Sequence, residues 1–144
     1  MHVTAILKDK GRAVECASPD HKVMDVARRL SARRIGAIVV TEANGAVVGI
    51  ISERDLAYGL ATHGSNLGHL NVSELMTKAV ITCCPSDSLS QIMKVMTERR
   101  IRHLPVLDGQ ALVGIVTIGD VLKFRLEETQ MEAAVLRDYA IARG

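Results

Sequence analysis

Residues 47–55, VVGIISERD, return at residues 112–120 as LVGIVTIGD. Val48-Gly49-Ile50 meets Val113-Gly114-Ile115, and Asp55 meets Asp120, at an offset of 65. Working outward, Val14–Val40 lies over Val80–Val106 at an offset of 66, with Pro19 on Pro85 and Arg33-Arg34-Ile35 on Arg99-Arg100-Ile101. These columns hold 6 identities in 27, and the 11 columns from Ala46 add 5 more. The lead-ins also rhyme, Val3–Lys8 against Val72–Lys78. Self-similarity at a fixed period is the mark of a repeated structural unit. Two copies of one unit of about 50 residues therefore fill most of the chain.

Each copy predicts the same order of elements. A short extended piece (Val14–Cys16; Val80–Thr82) runs into a proline, which ends it. An amphipathic helix follows, with Val23, Val26, Ala27 and Leu30, or Leu89, Ile92, Met93 and Met96, at helical spacing. Ser88 and Gln91 have capping-box spacing, with Asp20 or Asp87 as other possible caps. Two apolar strands come next, Ala37–Thr41 with Val47–Ser52 and Leu104–Leu107 with Leu112–Thr117. Asn44-Gly45 and Asp108-Gly109 supply the hairpin turns. A second helix opens at Ser52 or Thr117. The unit reads β-α-β-β-α, and the class is α/β (α+β).

One such unit leaves an apolar sheet face uncovered, so the two copies are expected to pack about a pseudo-two-fold axis. The expected boundaries are a lead-in over 1–11, a first repeat over 12–63, an inter-repeat loop and lead-in over 64–78, a second repeat over 79–127, and a C-terminal helix over 128–144. The loop itself is placed at Thr62–Asn71 on its glycines and asparagines. The tail carries Met131, Val135 and Tyr139 on one stripe with little left to bury against, which points to a homodimer contact.

Composition narrows the function. The 144 residues are 48% hydrophobic and 24% charged, an ordinary globular balance. A net charge of +2 gives no electrostatic footprint for nucleic acid or an anionic membrane. Tyr58, Tyr139 and Phe124 are the only aromatics, too few for a base-stacking platform. Cys16, Cys83 and Cys84 lack metal spacing and read as buried small hydrophobes in a reducing, cytoplasmic compartment. The opening segment is too short and polar for a signal peptide, and no apolar run reaches ~18 residues.

The chemistry is expected at Gly49–Asp55 and Gly114–Asp120. In each, a hydroxyl ends a strand, a helix begins, and a carboxylate follows three residues on. Ser or Thr with an acid at that spacing is first a helix cap. The same geometry offers free amides and a hydroxyl to a phosphate, and a carboxylate to the two hydroxyls of a ribose. Its recurrence at equivalent places, each behind a glycine, favours the second use.

Two β-α-β-β-α units ending in h-G-h-h-[Ser/Thr]-x-x-Asp resemble a cystathionine-β-synthase (CBS) domain pair, or Bateman module. Ile101-Arg102-His103-Leu104-Pro105-Val106 is similar to that family's second-strand pattern. The resemblance covers roughly Arg12–Glu127. It implies a non-catalytic sensor that binds an adenosine ligand in clefts between the copies: AMP, ADP, ATP, NAD(H) or S-adenosylmethionine, with no metal required. It further implies that Asp120 holds the ribose, Thr117 the phosphate or ribose, and Thr82 with Ile101–Pro105 the adenine and phosphate walls. Ser52, Asp55 and Gly36, Ala37 and Ile38 take the matching places in the first cleft.

The copies differ where the second strand begins, Arg102-His103 against Gly36-Ala37. A phosphate needs a cation, and guanidinium is the better fork. The main site is therefore expected at Arg102, His103, Thr117 and Asp120, with Arg54 reaching across the pseudo-dyad. Lys8 and Lys10 read as a solvated linker, and the arginine pairs as solvated helix ends. His63 and His69 lack a third metal ligand. With no phosphate-binding Gly-Lys-[Ser/Thr] loop and no nucleophile elbow, an enzyme is disfavoured. The alternative is a protein-interaction or assembly domain with empty clefts, and the regulated partner is unknown.

Overall fold

The computed structural model describes residues 1–143. The hairpins form where the turn residues place them. Strands β2 (Ala37–Thr41) and β3 (Val47–Ser52) pair antiparallel, as do β4 (His103–Asp108) and β5 (Ala111–Thr117). Gly45 and Gly109 take the left-handed backbone these tight turns need, with φ of 85° and 64°. Both hairpins shift register at equivalent points, Val40/Thr41 and Val106/Leu107.

The opening strands are less symmetric than expected. β1 is Cys16–Ala17 and runs parallel to β2, whereas Val80–Thr82 forms no strand. There the sheet keeps only a parallel bridge from Cys83 to Val106. Cys83 is buried and Cys16 half-buried, but Cys84 is exposed, against the expectation of three interior thiols. Burial pushes the Cys83 thiol up to about 12, so it stays protonated.

Helices α2 (Val23–Arg33) and α5 (Leu89–Arg99) bury Val23, Val26 and Leu30, and Leu89, Ile92 and Met96, against their sheets. Ser88 caps α5 in a box with Gln91. Asp20 does not cap α2, whose N-cap is Lys22, and Asp87 instead accepts from the Cys84 amide. Both helices end on a left-handed arginine, Arg34 or Arg100, each with φ of 54°. The amides of Ile35 and Ile101 then close back onto Leu30 and Met96, turning the chain directly into the β2 and β4 entries. Arg29 and Arg33 are not merely solvated: both pair with Glu15, at 2.6 and 3.2 Å.

The lead-ins are exchanged. Helix α1 (Val3–Lys10) places Val3, Ile6 and Leu7 in the core of the second copy, with Leu89, Ile92, Leu104 and Val116. Helix α4 (Val72–Leu75) puts Val72 into the first core, with Leu75 and Met76 packed against it. Leu7 lies against Gly114, and Met76 against Gly49, where any Cβ would collide. The reciprocal crossing makes the copies one folding unit.

Helix α3 (Glu53–His63) and a 3-10 segment, Gly64–His69, occupy most of the stretch expected to be a loop. At the other end, α6 (Ile118–Arg143) is a single helix with no break at residue 128. Its outer half leaves Met131, Val135, Leu136 and Tyr139 exposed. No helix among the described residues is long and apolar enough to cross a membrane.

Candidate functional site

A cleft of about 430 Å³ lies between the two copies. One wall comes from the end of the first copy: Ile50, then Ser52, Glu53, Arg54 and Asp55 at the start of α3. The other comes from the start of the second: Thr77, Ala79, Val80 and Ile81, then Ile101, Arg102 and His103 entering β4, with Gly36 beneath. Its volume falls in the range of small-molecule sites.

At its floor, Asp55 Oδ2 accepts from the Ser52 amide at 2.8 Å and the Ser52 hydroxyl at 3.1 Å. Asp55 Oδ1 accepts from the Thr77 hydroxyl at 3.0 Å. A carboxylate offers about four acceptor directions, so one stays open, and two of the present donors are hydroxyls that can rotate away. Among the described residues Arg54 and Arg102 have no side-chain hydrogen bond or ion pair, and both are exposed at the cleft. Two unpaired guanidinium groups therefore line the cleft.

His103 is half-buried, and its ring lies over Gly36, where a Cβ would come 2.9 Å from Cε1. Desolvation lowers its pKa below the usual 6.5, reinforced by Lys10 and Arg102 and opposed by Glu53 and Asp120. The neutral ring is the folded form. A lowered folded pKa means full stability above about 6.5 and a loss as pH falls through the lower folded value. Denaturation midpoints of wild type are therefore expected to fall more steeply than those of His103→Gln as pH drops below about 6.5. Equal slopes would show that the ring carries no such linkage.

Arg54, Arg102 and His103, expected beside Thr117 and Asp120, line a cavity together with Ser52 and Asp55, and His103 also pairs with Thr117 across β4 and β5. Thr117 and Asp120 form their own closed cap, with the Thr117 amide donating to Asp120 Oδ2 at 2.9 Å and the Asp120 amide to Thr117 Oγ1 at 3.1 Å. Ala37, Ile38, Leu104 and Pro105 are buried, with Ile38 and Leu104 in the two cores, and Thr82 is exposed outside the cavity.

Lys10 is no solvated linker residue: its Nζ lies 2.8 Å from Asp120 Oδ2 and 3.1 Å from the Ile115 carbonyl. Glu53 and Thr77 are cleft residues that sequence reasoning missed. Thr77 sat within the rhyming lead-in, and that rhyme was the one available signal.

A family model described as "CBS domain" matches residues 11–62 and 72–127. The chain is 48% identical over 92 residues to an uncharacterized 33.4 kDa protein in a ribosomal RNA operon of Thermofilum pendens, a match covering 64% of this chain and only 30% of that protein. The crystal structure of a CBS-domain containing protein from Agrobacterium tumefaciens superposes with a TM-score of 0.85 at 42% identity, covering 87% of this chain and 99% of that one. The CBS domain pair of protein MJ0100, solved in complex with 5'-methylthioadenosine and S-adenosyl-L-methionine, gives a TM-score of 0.77 at 27% identity, over 89% and 98% of the two chains.

Proposed function

The chain belongs to the CBS domain family, and from that premise we propose that it is a non-catalytic regulatory module that senses an adenosine ligand such as AMP. The observation that carries this reading is one cleft that holds a capped carboxylate, Asp55, with two unpaired arginines, Arg54 beside it and Arg102 on the facing wall. Asp55 would accept ribose hydroxyls, Arg54 and Arg102 would take the phosphate, and Val80, Ile81 and Ile101 would enclose the base. The adenosine compounds bound by the MJ0100 pair support the same ligand class. Binding shifts a conformational or partner equilibrium only by the ligand's differential affinity for the two states. The partner would be a regulated protein or a second copy of this chain.

A thermal-shift panel with AMP, ADP, ATP, NAD(H) and S-adenosylmethionine tests this. A ligand at 100 times its Kd stabilises by about 2.7 kcal/mol, roughly 5–10 °C for a chain of this size. The rise is expected in wild type and not in Asp55→Ala. Protein stripped of carried-over nucleotide that shows no shift with any of them would sink the sensor reading.

The exposed apolar residues of α6 favour one other reading, an assembly domain with empty clefts. It predicts a flat thermal panel, together with a self-associated mass by light scattering that Leu136→Glu reduces to the monomer.

A further inference from the structure

The two capped carboxylates are not equivalent, and the difference comes from the exchanged lead-ins. In the first half, the Ile50 carbonyl accepts from the Thr77 amide at 2.8 Å, and Asp55 Oδ1 from the Thr77 hydroxyl at 3.0 Å. In the second half the equivalent carbonyl, Ile115, and the equivalent carboxylate, Asp120, are both taken by one group, the Lys10 ammonium, at 3.1 and 2.8 Å. A neutral hydroxyl yields readily to a ribose. The Lys10 ammonium holds its place more firmly, because it bridges a carboxylate and a carbonyl at once and its bond to the carboxylate is charge-assisted.

Resting on the adenosine reading above, we propose that the Asp120 cleft is closed by the chain's own Lys10, so that the module holds a single adenosine ligand, at Asp55.

Equilibrium dialysis with labelled AMP tests this by counting ligand per chain, with folding checked by circular dichroism. Wild type is expected to hold one AMP, Asp120→Asn to retain it, and Asp55→Ala to lose it. Lys10→Ala is expected to hold two, and Lys10→Ala/Asp120→Asn one. If Lys10→Ala fails to fold, Lys10→Gln, which keeps the stem and removes the charge, takes its place. Two AMP in wild type, or one that depends on Asp120 and not on Asp55, would overturn the proposal, as would no second ligand in the Lys10 variants. Wild type that binds no AMP refutes the adenosine reading by itself. The closed cleft is then judged on Lys10→Ala alone: AMP gained there and lost again with Asp120→Asn keeps it, and no gain overturns it.

Discussion

Ile6→Ala is expected to cost about 2–5 kcal/mol, the range for truncating a fully buried aliphatic side chain. It is expected to loosen the second copy before the first. Ile6 has no exposure, and its neighbours are Leu89, Ile92, Leu104 and Val116, all more than 80 residues away in sequence. The lost volume therefore opens beneath α5 and the β4–β5 hairpin, while the first core, with Val26, Ile38 and Ile51, keeps every contact. Chemical denaturation gives the size of the loss, and amide hydrogen exchange gives its place. Faster exchange in β4, β5 and α5 than in β2, β3 and α2 is the expected result. Val72→Ala should reverse the order, since Val72 completes the first core. Faster exchange in the same copy for both variants would show that the cores are not separately completed by the crossed helices.

This crossing marks the limit of what the chain discloses as text. The unit itself was legible, because helical spacing in Val23–Leu30 and Leu89–Met96 and the Asn-Gly and Asp-Gly turns are local signals. The lead-ins rhymed too, yet nothing in Val3, Ile6 and Leu7 says which copy they cover. An apolar stripe records that it is buried and not against what. The same gap hides which walls face each other. Ser52, Asp55, Arg102 and His103 are recognisable as chemistry, but no spacing within a repeat says that the fold gathers all four around one cavity between the copies. Lys10 shows the point most directly: a lysine before a glycine reads as linker until α1 carries it onto a carboxylate 110 positions away. The 3-10 turn at Gly64–His69 escaped because its glycines and asparagine suit a loop equally well.

If the cleft reads a phosphate, removing its two guanidinium groups should separate AMP from adenosine. A charge-assisted hydrogen bond contributes about 1.5–3 kcal/mol, and screening at these exposed side chains reduces that to about 1–2 each. Arg54→Ala/Arg102→Ala is then expected to lose about 2–4 kcal/mol toward AMP, or roughly 30- to 1,000-fold in Kd. Adenosine has no phosphate and should change by less than about 3-fold, because Asp55 and its Ser52 and Thr77 partners are untouched. Salt gives an independent check, since added chloride should weaken AMP binding in wild type and leave the double variant nearly flat. The single variants divide the effect. Arg102 sits at the entry to β4, one residue from the fixed His103 ring, and so is better positioned than Arg54 on the exposed first turn of α3. Arg102→Ala is therefore expected to carry the larger share. Isothermal titration with both ligands on all four proteins measures this. Equal losses for AMP and adenosine would mean that the arginines support the cleft's shape, and that its specificity lies with the ribose and the base.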